Sequence, residues 1–308
     1  MRTLRVARLL ALALLAVAVP ACHNDGPFSI TIYVDPAFGD DFFGHGTPGS
    51  PLRTITRAMH FAIADDAIFL APGTYSAASG ELFPIFVKPG VILQGDPGTK
   101  GVGPVATFVN GAGSYTVSGG TQASTVVNAT FVMGSGADVS GVKITAPGAT
   151  GVGVVFDGFS ARLIQCTVSG CGASGLRIYQ TGSPTITNNA ITANAASGVD
   201  VFDAASPMLR QNTITSNTVD GVVANDTSAP NLGDATTAGA NTLQANTGVG
   251  LNNNTTASAI QAVGNTWRIS TQGSDGAGAY AAALTPGAVA PAAGNNFAIT
   301  NAAGAIQF

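Results

Sequence analysis

Residues Thr185–Pro207 read TITNNAITANAASGVDVFDAASP, and the next 23 residues, Met208–Pro230, read MLRQNTITSNTVDGVVANDTSAP. Aligned on their prolines, the two stretches match at Asn189/Asn212, Ile191/Ile214, Asn194/Asn217, Gly198/Gly221, Val199/Val222 and Asp203/Asp226. The spacing extends in both directions. Glycine–aliphatic pairs stand at Gly151-Val152, Gly175-Leu176, Gly198-Val199, Gly221-Val222 and Gly250-Leu251, in steps of 24, 23, 23 and 29. A second column runs Val142, Cys166, Asn189, Asn212, Asn241 and Asn265. Two residues after each member comes a large apolar side chain: Ile144, Val168, Ile191, Ile214, Leu243 and Trp267. Pro184, Pro207 and Pro230 close three of the units. A period this regular marks a repeat architecture.

Each unit is too short and too rich in turn formers for a helical repeat. Its apolar residues alternate with polar ones over short runs, the period of a strand with one buried face. Asn, Gly, Ser and Pro separate those runs. A leucine-rich repeat of similar length needs a Leu-rich consensus that is absent here. The remaining solution is an all-β parallel β-helix solenoid in which one unit is one rung. Residues of a column then stack at roughly 4.8 Å. The aliphatic column lies inside. Asn189, Asn212, Asn241 and Asn265, and likewise Asn194, Asn217 and Asn246, form ladders of side-chain amides at bends. The repeated glycine fits a bend that needs either positive φ or close backbone approach. The six extra residues of the 29-residue step fall in PNLGDATTAGA (Pro230–Ala240), a loop pushed out of one rung.

The ends of the chain differ from the middle. Arg2, Arg5 and Arg8 precede the apolar run LLALALLAVAV, followed by Val19-Pro20-Ala21-Cys22. Residues 1–21 therefore read as a secretory signal, with a run shorter than the roughly 20 residues that span a bilayer. The segment resembles a bacterial lipoprotein signal, which implies a lipidated Cys22; Pro20 is unusual in that setting, and ordinary cleavage after Ala21 is the alternative. The expected location is the outer membrane or cell surface, or the medium if Cys22 carries no lipid. Removing the three leader arginines leaves nine basic residues against 16 acidic ones, a net charge of −7, which gives no electrostatic basis for nucleic-acid binding. Charged residues are only 9% of the chain, so Thr, Ser and Asn cover the surface. Cys166 and Cys171 fall in the two asparagine columns, too far apart along an extended backbone for a disulfide. They read as small buried thiols in the place of Asn.

Before the repeats, Ile55, Ala58, Met59, Ala62 and Ile63 fall at helical spacing, and a strand (Ala67–Leu70) and a Pro72-Gly73 turn follow. A solenoid needs its open end covered, so this short helix is the N-terminal cap. The segment from Tyr33 to Gly95 contains Tyr33-Val34-Asp35, Gly39-Asp40-Asp41, Gly46-Thr47-Pro48, Thr54-Ile55-Thr56-Arg57-Ala58, Leu70-Ala71-Pro72-Gly73-Thr74-Tyr75 and Val91-Ile92-Leu93-Gln94-Gly95. It resembles a bacterial domain of unknown function that opens secreted right-handed parallel β-helix proteins of the pectin-lyase-like superfamily. The resemblance covers roughly residues 30 to 267, implies the right hand of the solenoid, and specifies fold well and activity poorly. The expected organisation is a signal over 1–21, a cap with first rungs over 28–95, a β-helix over 96–267, and a last rung with C-terminal cap over 268–308.

That superfamily contains polysaccharide lyases, hydrolases and epimerases, so chemistry has to be sought in residues. Gly44-His45-Gly46 matches a short polygalacturonase motif, but the clustered aspartates and Arg-x-Lys of that family do not accompany it. Asp203 and Asp226 share a column one rung apart, close enough for a carboxylate pair. Arg177 and Asp200 share another: an arginine to take a proton α to a uronate carboxylate, with Ca²⁺ on neighbouring carboxylates, or a surface ion pair. Tyr179 and Phe202 stand beside them at the same step and are candidates for sugar contact, or stacked aromatics of a turn. The regular repeat and the lack of a converging catalytic set favour a non-catalytic cell-envelope module, structural or binding a polysaccharide or cell-surface glycan, without a cofactor. The alternative is a lyase or glycoside hydrolase using the Arg177/Asp200/Asp203/Asp226 face.

Overall fold

The computed structural model describes residues 29–255, 260–268 and 306–307. The expected signal, Cys22 and most of the expected C-terminal cap lie outside these residues. Three parallel sheets hold most of the strands of the described chain, and successive regular rungs contribute one strand to each. In the regular part, one rung is Arg162–Ile164, Thr167–Ser169 and Leu176–Tyr179; the next is Thr185–Thr187, Ala190–Thr192 and Val199–Val201. A third follows with Met208–Arg210, Thr213–Thr215 and Val222–Ala224. This is the parallel β-helix.

The columns of the sequence are columns in space. Ile144 pairs with Val168, Val168 with Ile191, Ile191 with Ile214 and Ile214 with Leu243, and all five are fully buried. Strands buried on one face this way gain their stability from a continuous apolar stack. At the bend before each second-sheet strand, Asn189 Oδ1 accepts from the Cys166 N–H at 2.8 Å, Asn212 Oδ1 from the Asn189 N–H at 3.0 Å, and Asn241 Oδ1 from the Asn212 N–H at 2.9 Å. Each amide nitrogen donates in turn to a carbonyl of the preceding rung, as Asn189 Nδ2 does to Leu163 O at 2.8 Å. Asn194, Asn217 and Asn246 repeat the arrangement at the next bend. Cys166 and Cys171 are free, buried thiols at the heads of the two ladders.

The glycine column is explained by close approach. A Cβ on Gly198 would stand 2.6 Å from Gly221 O and 2.6 Å from Ile214 Cγ2, closer than real Cβ atoms come. One assignment changes. Val154, not Val152, pairs with Leu176, so the column opens at Gly153; Gly151 begins the longer strand Gly151–Asp157. The loop expected at Pro230–Ala240 is present: Asn231 bridges Met208 and Gln261 in the first sheet, and the next second-sheet strand is Thr242–Gln244. Arg210 pins that loop through Asn231 O at 2.7 Å and Asp234 Oδ2 at 3.4 Å.

The cap helix spans Ile55–Phe61 and buries Ile55, Ala58 and Met59. It stops before Ile63 because the Ile63 N–H donates to Asp66 Oδ2 at 2.9 Å and Ala62 turns extended. Glu81, a buried carboxylate 26 residues on, accepts from the first helical N–H groups, Ile55 N at 2.6 Å and Thr56 N at 3.0 Å. The orphan donors of the helix start are thereby satisfied from a distant segment. Among the described residues, no helix is long and apolar enough to cross a membrane.

Candidate functional site on the third sheet

The third sheet, running from Ile85–Val87 through Val126–Met133, Gly151–Asp157, Leu176–Tyr179 and Val199–Val201 to Val222–Ala224 and Leu251–Asn253, turns alternate residues outward. One outward column is Val132, Val155, Arg177, Asp200, Val223 and Asn252. Beside it, Asp157 pairs with Tyr179, and Phe202 follows one rung on, stacked on Tyr179 with ring centroids 5.2 Å apart and 16° between planes. Arg177, Tyr179, Asp200 and Phe202 thus share one face.

An arm crosses that face. The step from Phe108 to its partner Lys143 is 35 residues, and the excess over one rung is a projection running from Gly111 to Thr125. Its strand Gly113–Thr116 pairs antiparallel with Val126–Ala129. Val117 of the arm closes a second apolar cluster, separate from the interior, with Val127, Ala129, Val132, Val152, Val155, Ala173 and Tyr179; Tyr115 and Phe202 pack against it. Tyr179 is left only 1% exposed, so its ring is not open to a ligand in this conformation.

The arm is held by carboxylates. Asp157 Oδ2 accepts from Tyr115 Oη at 2.6 Å and from the Ser118 N–H at 2.7 Å, while Asp157 Oδ1 accepts from Gln180 Nε2 at 2.6 Å. Asp203 accepts from the Thr121 N–H and, at 2.8 Å, from the Gln180 N–H. Asp226 Oδ2 accepts from Thr121 Oγ1 at 2.9 Å and from the Asp203 N–H at 2.9 Å. Burial works to raise the pKa of Asp157 and of Asp203, but the donated hydrogen bonds outweigh it and leave both below the ordinary carboxylate value. Gln180, Asp203 and Asp226 sit at φ of 61°, 57° and 57°, a left-handed turn that Asp tolerates through its own local hydrogen bonds. The column is a turn whose side chains cap the preceding rung and clasp the arm.

Asp200 is different. Its carboxylate accepts from Ser174 Oγ and lies 3.7 Å from Arg177 Nε. Burial pushes its pKa above the ordinary value, against hydrogen bonds from Ser174 and Ser197 and the charge of Arg177, and the nearby charge of Asp220 pushes the same way as burial. Asp220 in turn accepts from the Val249 N–H at 2.7 Å and from Asn252 Nδ2 at 2.9 Å. Tyr179 is held above its ordinary pKa by burial, opposed by the adjacent Arg177. The outcome is a compact polar set, Ser174, Arg177, Ser197, Asp200 and Asp220, around the Asp200 carboxylate. His45 lies elsewhere, exposed on the cap loop with Nδ1 3.3 Å from Ser50 Oγ. Among the described residues, no group of three or more His, Cys, Asp or Glu side chains is placed to hold a metal ion.

The sequence reading placed Arg177, Asp200, Tyr179 and Phe202 together, as they are. It missed the arm and Asp157. The signal available was the Gly/Ser/Thr-rich run GAGSYTVSGGTQAST (Gly111–Thr125), which breaks the 23-residue step.

A family model described as "Protein of unknown function (DUF1565)" matches residues 37–272. No curated protein matches significantly. Among solved structures, the chain is similar to pectate lyase Pel9A at 18% identity and TM-score 0.46, over 79% of this chain and 68% of that one. It is also similar to a GH136 lacto-N-biosidase from Eubacterium ramulus at 10% identity and TM-score 0.23, over 91% of this chain and 68% of that one.

Proposed function

This chain belongs to the DUF1565 family of proteins of unknown function, and we propose that it is a non-catalytic β-helix module of the cell envelope that binds a glycan along the outward face of its third sheet. It is exported and held at the surface by a lipid on Cys22. The observation that carries this reading is the use to which the aspartates of the face are put. Asp157, Asp203 and Asp226 direct their oxygens at backbone and side-chain donors of the turn and the arm. A carboxylate serving as a glycosidic acid or base must instead face the scissile bond. The ligand surface is the outward face beside the arm, where Arg177 supplies charge and hydrogen-bond donors and the uncovered part of Phe202 an apolar edge.

One observation favours the enzyme reading. Asp200 is a buried acid with a raised pKa beside Arg177 and Tyr179, and such perturbed groups concentrate at functional sites. Under that reading, Ca²⁺ would assist on neighbouring carboxylates. Affinity electrophoresis of the mature protein through gels of neutral and acidic polysaccharides tests the binding reading. Retardation in at least one gel, lost in the Arg177→Ala/Phe202→Ala variant, is expected. Unretarded migration in every gel would remove the glycan from the proposal.

A further inference from the structure

We propose that the loop Pro36–Gly44, at the N-terminal end of the solenoid, is a membrane-seating surface whose Phe38, Phe42 and Phe43 enter the interfacial layer of a lipid bilayer. The three rings are 87%, 92% and 81% exposed. Among the described residues these are the three most exposed large apolar side chains, the next being Leu82 at 71%, and they fall within six residues of one another.

The loop is constructed to hold them out. It consists of the same turn made twice. Asp35 Oδ1 accepts from Ala37 N and Phe38 N at 2.8 and 3.0 Å, and Asp40 Oδ1 accepts from Phe42 N and Phe43 N at 2.7 and 2.9 Å. Each turn closes on a glycine: Gly39 N donates to Asp35 O, and Gly44 N to Asp40 O. Both glycines press on the backbone of Pro51–Leu52, leaving no room for a Cβ. Phe38 and Phe43, each preceding a glycine, therefore occupy equivalent places. Asp41 fixes the loop to the cap helix by accepting from Arg53 N at 2.8 Å and Thr54 N at 3.1 Å. Donors from the loop and the helix start thus engage both Asp40 and Asp41 among the rings.

Two considerations choose the lipid surface as occupant. Three phenylalanines bury on the order of 450–750 Å² in all, below the roughly 800 Å² per partner of a stable protein interface, so a second copy is poorly served by this patch. A bilayer has no such threshold, since each inserted ring contributes separately. The second consideration is the chain outside the described residues. The eight residue-to-residue steps from Cys22 to Ile30 reach at most about 28 Å. A lipid on Cys22 would hold this end of the solenoid within that distance of the membrane. With this end of the solenoid held that close, the exposed rings are brought within reach of the bilayer surface as a contact additional to the anchor. This part of the argument rests on the anchor proposed above, but the rings are testable without it.

The test uses the unacylated mature chain carrying Cys22→Ser, sedimented with phosphatidylcholine vesicles and with phosphatidylethanolamine–phosphatidylglycerol vesicles, beside the same chain carrying Phe38→Ala, Phe42→Ala and Phe43→Ala. The expected result is binding by the parent to both vesicle types that high salt does not weaken, because a chain of net charge −7 is repelled by anionic lipid and salt only screens that repulsion. The triple variant should partition at least tenfold less, with an unchanged melting temperature, since the rings are almost wholly exposed. No sedimentation of the parent, equal sedimentation of both proteins, or binding abolished by salt would overturn the proposal. So would concentration-dependent dimerisation of the parent that the triple variant loses, which would make a second copy the occupant. Mass analysis of the native N-terminus judges the anchor separately.

Discussion

Replacing Asn212 with alanine removes the middle of the first asparagine ladder. Its Oδ1 accepts from the Asn189 N–H at 3.0 Å and from Asn189 Nδ2 at 3.1 Å, while its Nδ2 donates to Ile186 O at 2.8 Å and to Asn241 Oδ1 at 3.0 Å. The site is fully buried, so water does not replace these partners. Asn189 Nδ2 keeps Leu163 O, and Asn241 Oδ1 keeps the backbone N–H of residue 212. The Asn189 backbone N–H keeps nothing, and an orphaned buried donor costs about 1–3 kcal/mol. With the other lost bonds and the void left by the amide, the total comes to about 3–5 kcal/mol. Asn225→Ala provides the control, because Asn225 is partly exposed and its side-chain bonds are long, one donated to Val201 O at 3.3 Å and one accepted from Asn254 Nδ2 at 3.4 Å; its cost should stay below about 1 kcal/mol. Urea unfolding followed by circular dichroism gives the global difference. Native-state hydrogen exchange at the Asn189 amide gives the local one, which matters in a solenoid whose rungs can open separately. If Asn212→Ala costs no more than Asn225→Ala and the Asn189 amide stays protected, the ladder is not what holds the bend.

Glu81→Ala should cost about 2–4 kcal/mol, since it strips a buried and a part-buried N–H group at the start of the cap helix, and the Thr56 hydroxyl, of their acceptor; thermal melting checks this, and a loss below about 1 kcal/mol would contradict it. The arm should detach in acid. Asp157 and Asp203 are held below their ordinary pKa by the arm's donors, so the docking they supply is present above the ordinary carboxylate range, about pH 4, and is lost as pH falls through the depressed values. Near-ultraviolet circular dichroism of Tyr115 and Tyr179 should change there before the far-ultraviolet signal, and Asp157→Asn should move the change to higher pH; a single coincident transition in both proteins would count against the clasp. Burial pushes the thiols of Cys166 and Cys171 up to about 12 and about 11, so the folded Cys22→Ser protein should resist alkylation at pH 8 and take up two equivalents once unfolded. Rapid labelling of the native state would refute that placement.

The rung was legible because its causes are local and repeated. Ile191 and Ile214, or Asn189 and Asn212, meet the same neighbours one rung apart, so the environment writes the same residue at the same step. Where the cause is neither local nor repeated, the sequence is silent. Asp157 and Asp203 serve the arm through contacts spanning 39 and 82 residues, and two aspartates at a step of 23 look alike whether they face a substrate or a strap. The glycine column was shifted at its first member because Gly151 and Gly153 both precede valine, and only the strand register selects Gly153. The helical spacing that reached Ile63 overran the helix because Asp66, three residues on, offers the Ile63 N–H a better acceptor. Arg177, Tyr179, Asp200 and Phe202 were brought together correctly since a step of one rung is all that their contact requires.

The central claim is that the aspartates of the third sheet build the module and do no chemistry. It is tested by incubating the mature protein with acidic and neutral polysaccharides, with and without Ca²⁺, while following unsaturated products and reducing ends. The account predicts no turnover above buffer on any substrate. Turnover that disappears in Asp200→Ala, in a variant that still melts as a folded protein, would contradict it.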